Sequence, residues 1–339
     1  MKLYLYGIIN DGKEMDFGEI GFANSHGKRT LVKTFPLDDI AIVMSELDEW
    51  AVDENDKQDL MQKLLSHQKT LEEIMKQRLV IPIKFGTSVE SLEDTMTIIK
   101  RGQPLFKKAL ADMEGKFEVN LTASWDVLRE IKKIAEGDDE IKALKLKAQE
   151  EKSRELIMEV GMELEDKLET ERQRVAAEIL FSLNKWGKNR VDHERLENKM
   201  ILNTSFLISK SREDDFLKSI YGLDDKFNSE FDFKCLMPLP PHSFRTVQVQ
   251  KVESGCLREA MNLFKVDRDT TLDMLKERGR ELIQLHHPDS KEKEDRNEKI
   301  SQIYQSLDLL KAFYDVEENP FANLDVECCY LTKVVEGTA

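Results

Sequence analysis

Histidines, cysteines and paired carboxylates are the side chains best able to do chemistry in this chain, and few of them sit at spacings that chemistry uses. His67 lies in a helix-like run, but Glu72 and Glu73 do not complete the His-Glu-x-x-His pattern that seats zinc and a general base on one helix face. It reads as a core or surface histidine. His286 and His287 adjoin and point apart, which chelates poorly. Cys235 and Cys256 read as small buried hydrophobes, and adjacent Cys328 and Cys329 could bridge only with strain. Asp138-Asp139 and Asp214-Asp215 fall at helix starts, where negative charge suits the helix dipole. Gly-Lys-Arg at 27–29 lacks the glycine before it and the Ser or Thr after it that a phosphate loop needs, and no Gly-x-Ser-x-Gly elbow occurs. The expectation is a protein that acts by binding, without enzymatic chemistry, metal or cofactor.

Composition narrows the partners. Acidic residues outnumber basic ones, 66 to 51, giving a net charge of −15 over 339 residues. Neutralising phosphates takes a concentrated cationic surface, so nucleic acid is not an expected partner. No apolar run is long enough to cross a bilayer, so no membrane is expected either. "MKLYLYGIIND" has one lysine and no small-residue cleavage site, and reads as a first strand, not a secretion signal. Four cysteines without a Cys-x-x-Cys pair give no disulfide framework, and a reducing cytoplasm is the expected setting.

What the remaining polar residues can do depends on the elements that hold them. "KLYLYGII" alternates as a half-buried strand, and "GKRTLVKTF" reads as another after a turn at Gly27. Leu60, Leu64, Leu71, Ile74 and Met75 make one apolar helix face within 54–78. Leu79–Phe85 reads as a strand with Pro82 at its edge or start; Gly86 ends it and Thr87 or Ser88 caps the next helix. Residues 116–125 alternate as a strand, and 126–186 are strongly helical, with a stripe of Leu156, Val160, Leu164, Leu168, Val175 and Ile179. Residues 198–210 return to strand, Ser211 and Asp214 suggest a capping box, and "SEFDFKCLMPLPPHSF" runs from a strand into a proline-rich turn. This order predicts an α+β fold with helices on one face of an antiparallel sheet. Expected divisions are 1–114, 115–254, a helical segment over 255–318 and a tail over 319–339.

With "YLYGII", the His67-bearing helix, "VIPIKFGT", "ALADMEGKFEVNL" and "PLPPHSF" in that order, the chain resembles the gas vesicle protein family of the L and F type over about the first 250 residues. The late motif departs from the family, which usually begins it with Gly-Pro and an aromatic, where this chain has "LMPLPPHSF". The resemblance implies a cytoplasmic, vesicle-associated, non-enzymatic accessory protein with two α+β domains, the second ferredoxin-like. Its implied partners are the small, hydrophobic shell subunit and other vesicle accessory proteins. The matching positions His67, Pro82, Phe85, Gly86, Thr87, Pro240 and Pro241 are implied to be structural or to contact the shell subunit. A strand-forming apolar subunit aggregates until its edge is covered. The long helix 151–186 or the edge strand Leu79–Phe85 is the expected cover.

Further on, "AMNLFKVDRD", a helix with Leu272, Leu275, Leu282 and Ile283 on its buried stripe, His287-Pro288-Asp289, and a second helix with Ile300, Ile303, Tyr304, Leu307, Leu310 and Tyr314 resemble a J-domain. Thr270 with Asp273 would cap the first helix, and the two helices would close as an antiparallel hairpin. The resemblance implies a DnaK-type ATPase as partner, met by His287, Pro288 and Asp289 and by a basic face. Lys276 and Arg280 match basic positions and Arg278 adds charge nearby, whereas Glu281, Leu285 and Ser290 dilute that face. Gly279 stands where the family has a large residue, at a helix cost of roughly 1 kcal/mol. Recruitment of the ATPase and a retained scaffold both stay open. So does a general cytoplasmic co-chaperone or adaptor not dedicated to gas vesicles.

Overall fold

The computed structural model describes residues 2–23, 27–47, 56–286, 294–322, 324, 326 and 329–335, with 294–298 as backbone. Contacts divide the chain into one unit of Met1–Glu114 with Arg245–Glu336 and another centred on Gly115–Phe244. The chain leaves the first unit after Glu114 and rejoins it at Arg245.

The first unit begins with β1 (Lys2–Ile9), β2 (Asp16–Gly18), β3 (Val32–Leu37), β4 (Ile40–Leu47), α1 (Lys57–Met75), β5 (Val80–Pro82), β6 (Ser88–Val89) and α2 (Leu92–Met113). The sheet runs β2-β3-β4-β1-β5, with β6 also on β1. Every residue of β1 after Lys2 is buried, so the half-buried strand read from sequence is instead central. Tyr4, Tyr6 and Ile9 pack with Phe17, Phe22, Leu71 and Ile74 on one face. α2 buries Ile98, Ile99 and Phe106. Its cap is Ser91, whose Oγ accepts from Asp94 N–H, and not Thr87 or Ser88. Those two residues are taken by the turn and by β6.

The second unit holds β7 (Lys116–Ser124), α3 (Val127–Gly137), α4 (Asp139–Glu151), α5 (Arg154–Ser182), β8 (Arg190–Asp192), β9 (Met200–Ser209), α6 (Glu213–Lys226) and β10 (Asp232–Leu239). Strand order β10-β7-β9-β8, all antiparallel, is the ferredoxin-like arrangement. The helical stretch expected over 126–186 breaks twice. Asp138 caps α4 by accepting from Glu140 and Ile141 N–H, and Ser153 caps α5 after Lys152 turns left-handed at φ 49°. Of the expected stripe, Leu168, Val175 and Ile179 are buried in the core, while Leu156, Val160 and Leu164 are half-buried. The Ser211–Asp214 capping box does not form; Arg212 holds the cap position without a side-chain bond.

The chain then returns to the first unit as β11 (Thr246–Val252), α7 (Ser254–Leu263), α8 (Leu272–Leu285), α9 (Glu294–Tyr314) and β12 (Cys329–Val335). β11 and β12 form an antiparallel ribbon, and Val247 continues the edge of β5 through a parallel bridge to Ile83. Lys84 N–H donates to Val247 O at 2.8 Å. α7, α8 and α9 close a core of Leu257, Phe264, Leu275, Ile303, Leu307 and Leu310, which Phe321 and Cys329 extend. Tyr314, ending α9, donates to Thr270 O just before α8, and Leu307 faces Gly279, so α8 and α9 are antiparallel. Thr271, not Thr270, caps α8; the Thr270 hydroxyl donates instead to Asp267. Tyr304, expected inside, is exposed.

Candidate functional site

The resemblance-carrying residues of the first unit meet around Tyr4. Its hydroxyl accepts from Gly86 N–H at 3.1 Å and hydrogen-bonds His67 Nδ1 at 2.9 Å. The His67 ring stacks on Tyr6 at 5.8 Å and meets Phe85 edge-on at 5.6 Å. Gly86 reaches this position with φ 86°, a left-handed conformation that costs a side-chain-bearing residue energy. Thr87 closes the turn by donating its hydroxyl to Lys84 O at 2.6 Å and accepting Leu5 N–H at its own carbonyl. Pro82 pairs opposite Gly7 and is buried. Burial pushes the Tyr4 and Tyr6 phenols above their usual pKa. His67 and Pro82 are buried, Phe85 and Thr87 half-buried, and only Gly86 is exposed. The geometry suits holding β1, α1 and the end of β5 together.

The late motif holds a cluster that sequence reasoning missed. Glu118, on β7 and 2% exposed, accepts from Ser205 Oγ at 2.8 Å, Ser243 Oγ at 2.6 Å and Ser243 N–H at 2.8 Å. His193 Nε2 lies 2.9 Å from Ser205 Oγ and 3.2 Å from Ser243 Oγ. Ser, His and Glu together invite comparison with a hydrolytic triad, but there the histidine stands between the serine and the acid. Here each serine donates its one proton directly to the carboxyl, and the nucleophile is not activated. Pro240 and Pro241 are buried, and their carbonyls accept His242 and Phe244 N–H. The turn presents Ser243 to Glu118. Alternation sets Glu118 on the face opposite the core-facing Phe117, Val119, Leu121 and Ala123, so the strand pattern marked it as outward and hid the cluster.

On α8, Lys276 and Arg280 are exposed, with Lys276 3.6 Å from Asp273. Arg278 turns inward instead, donating from Nη1 to the carbonyls of Phe264 at 2.9 Å and Lys265 at 2.8 Å, where it caps the end of α7. His287, Pro288 and Asp289 lie outside the described residues, as does Cys328. Cys256 is exposed, contrary to its reading as a buried hydrophobe, and Cys235 is half-buried with its thiol pKa pushed up to about 11 by desolvation.

Of the two expected cover surfaces, the strand is occupied. β5 reaches only Val80–Pro82, and its continuation at Ile83 and Lys84 is bonded by Val247. The helix is open. α4 and α5 present Leu146 (60% exposed), Ile157 (60%), Met158 (63%) and Met162 (66%) to solvent.

A family model described as gas vesicle synthesis protein GvpL/GvpF matches residues 2–246, ending where β11 begins. Gas vesicle protein F of Dolichospermum flosaquae is 26% identical over 185 residues, 53% of this chain and 76% of that protein. The crystal structure of GvpF from Microcystis aeruginosa aligns with TM-score 0.54 at 20% identity, covering 71% of this chain and 97% of that one. That of GvpF from Anabaena sp. PCC7120 gives 0.55 at 21%, covering 71% and 96%. These likenesses support the α+β fold. Among the described residues, no helix is long and apolar enough to cross a membrane.

Proposed function

The chain belongs to the gas vesicle synthesis family GvpL/GvpF, and from that premise we propose that it serves vesicle formation as a non-enzymatic holder of the small apolar shell subunit. The observation that supports holding is the solvent-facing set Leu146, Ile157, Met158 and Met162 on α4 and α5. Large exposed apolar side chains carried together by neighbouring elements mark contact sites more often than scattered ones do. The acidic surface keeps the complex dispersed while the subunit's apolar area is covered. The test is capture of co-expressed shell subunit. Deleting 151–186 would remove the core residues Leu168, Val175 and Ile179, so Leu146→Gln with Ile157→Gln is the better variant. Capture by the wild type and its loss in the variant support the reading. No capture by the folded wild type overturns it.

A second use is favoured by the antiparallel α8–α9 pair, whose connection carries His287-Pro288-Asp289. Through it the protein recruits a DnaK-type ATPase to the held subunit. Stimulation of that ATPase by wild type but not by His287→Gln supports recruitment; equal rates with both proteins leave α7–α9 a packing role.

A further inference from the structure

One face of α5 carries Glu155, Met158, Glu159, Met162, Glu163 and Asp166, spaced i, i+3, i+4, i+7, i+8 and i+11, which is a single helical stripe. It lies opposite the residues that α5 buries, Leu168, Arg172, Val175 and Ile179. A face pointing away from the core is ordinarily polar throughout. Here two methionines, each more than three-fifths exposed, run along one edge of a row of carboxylates. The carboxylates are not spent on neighbours. Glu155, Glu159 and Asp166 form no ion pair among the described residues, and Glu163 is 3.8 Å from Lys167, which lies closer, at 2.8 Å, to Asp138. No lysine or arginine interrupts the stripe.

We infer that this stripe is a docking face for a basic amphipathic helix, with Met158 and Met162 taking its apolar side and the four carboxylates its lysines or arginines. Methionine is suited to this because its flexible, polarisable side chain adapts to different apolar partners. The charge pattern selects the occupant. A second copy of this chain would set carboxylates against carboxylates, which is repulsive, and an acidic or purely apolar helix would leave them desolvated without partners. A basic helix supplies the missing countercharge along the carboxylate row beside the methionines. The inference rests on the reading of α4–α5 as a contact surface, and it adds the chemistry of what is recognised.

The test uses the full chain and a synthetic amphipathic peptide of about 18 residues, roughly five helical turns, with leucines on one face and lysines on the other. The companion peptide has glutamates in place of the lysines. The lysine peptide binds the wild type, its affinity falls with added salt, and the glutamate peptide fails to bind. Glu159→Lys with Asp166→Lys lowers affinity about tenfold or more, as does Met158→Ala with Met162→Ala. Reversing two exposed carboxylates on α8, Glu277→Lys with Glu281→Lys, changes it less than about twofold, which separates the stripe from the general acidity of the chain. Circular dichroism verifies that every variant keeps the wild-type helix content. Equal losses from the α5 and α8 reversals, or binding untouched by the methionine pair, overturn the inference. Shell-subunit capture, measured in parallel, keeps the two proposals apart. Capture without peptide binding overturns this inference alone, and peptide binding without capture overturns the shell-subunit reading alone.

Discussion

The guanidinium of Arg101, midway along α2, sits 5.6 Å from the ring centroid of Phe313 near the end of α9, joining residues more than two hundred positions apart. The same group donates to Cys329 Sγ at 3.4 Å and to Pro320 O at 3.3 Å. One side chain therefore touches α9, the segment after it and β12, and fastens the returning chain to the first 114 residues. Arg101→Ala is expected to destabilise the protein by about 1–3 kcal/mol through lost charge-assisted bonds and ring contact. Arg101→Lys recovers little, because a point charge cannot reproduce the planar fork. Urea unfolding with limited proteolysis of the α7–β12 region checks both.

Gly279 illustrates a departure that sequence flags but misinterprets. The helix penalty is real, yet a Cβ there would lie 3.0 Å from Leu307 Cδ2 and 3.6 Å from Phe264 Cε1, so the missing side chain lets α8 approach α9 and α7. Gly279→Leu is expected to lose about 1–3 kcal/mol by overpacking despite better helix propensity. Gly279→Ala needs only a small shift of the Leu307 methyl and is nearly neutral. Thermal unfolding of the two variants distinguishes close packing from a simple helix defect.

The buried phenols set an alkaline limit. Tyr4 and Tyr6 have folded pKa values above the ordinary 10.0, chiefly by desolvation. Above pH about 10 the unfolded chain releases these protons while the folded chain keeps them, so stability is full below that pH and falls as pH rises, at about 1.4 kcal/mol per unit for each phenol. Tyr6→Phe should flatten the decline between pH 10 and 11 relative to wild type. Chemical denaturation at pH 8, 10 and 11 measures the slope, and unchanged slopes would contradict the assignment.

Glu118 holds its surroundings rather than reacting. Glu118→Ala strands the hydroxyls of Ser205 and Ser243 and the Ser243 amide, at about 1–3 kcal/mol for the first buried group left unpaired. Ser243→Ala should cost less, since Ser205 and the Ser243 amide still bond the carboxyl. Neither variant gains or loses hydrolysis of an activated ester, because the wild-type serine is not activated.

Much of this architecture was legible in the chain. Two-residue alternation found β7, and the helical period found α1, α8 and α9, because each has one face in a core; β9 read as strand by composition alone. The breaks at Asp138 and Ser153 were not found; a local side-chain cap interrupts α3–α5 there without disturbing the apolar period. β4 and β11 were missed as strands. β4 is buried on both faces and hardly alternates, and Val247 and Val249 of β11 need a partner some eighty residues later to mean anything. The candidate sites divide the same way. His67, Phe85, Gly86 and Tyr4 all stood in motifs, but that they meet at the Tyr4 hydroxyl was not visible in the sequence. Arg278 read as surface charge because composition does not show that α7 ends where its guanidinium can reach.

The first unit is assembled from the earliest and the latest parts of the chain. During synthesis the stretch from 115 to 247 must leave the ribosome before Val247 can cover the end of β5, roughly 7–27 s at about 5–20 residues per second. Throughout that delay the nascent β5 end stands open, the very hazard this protein is proposed to relieve in its client. A newborn copy is thus itself a chain in want of a guardian.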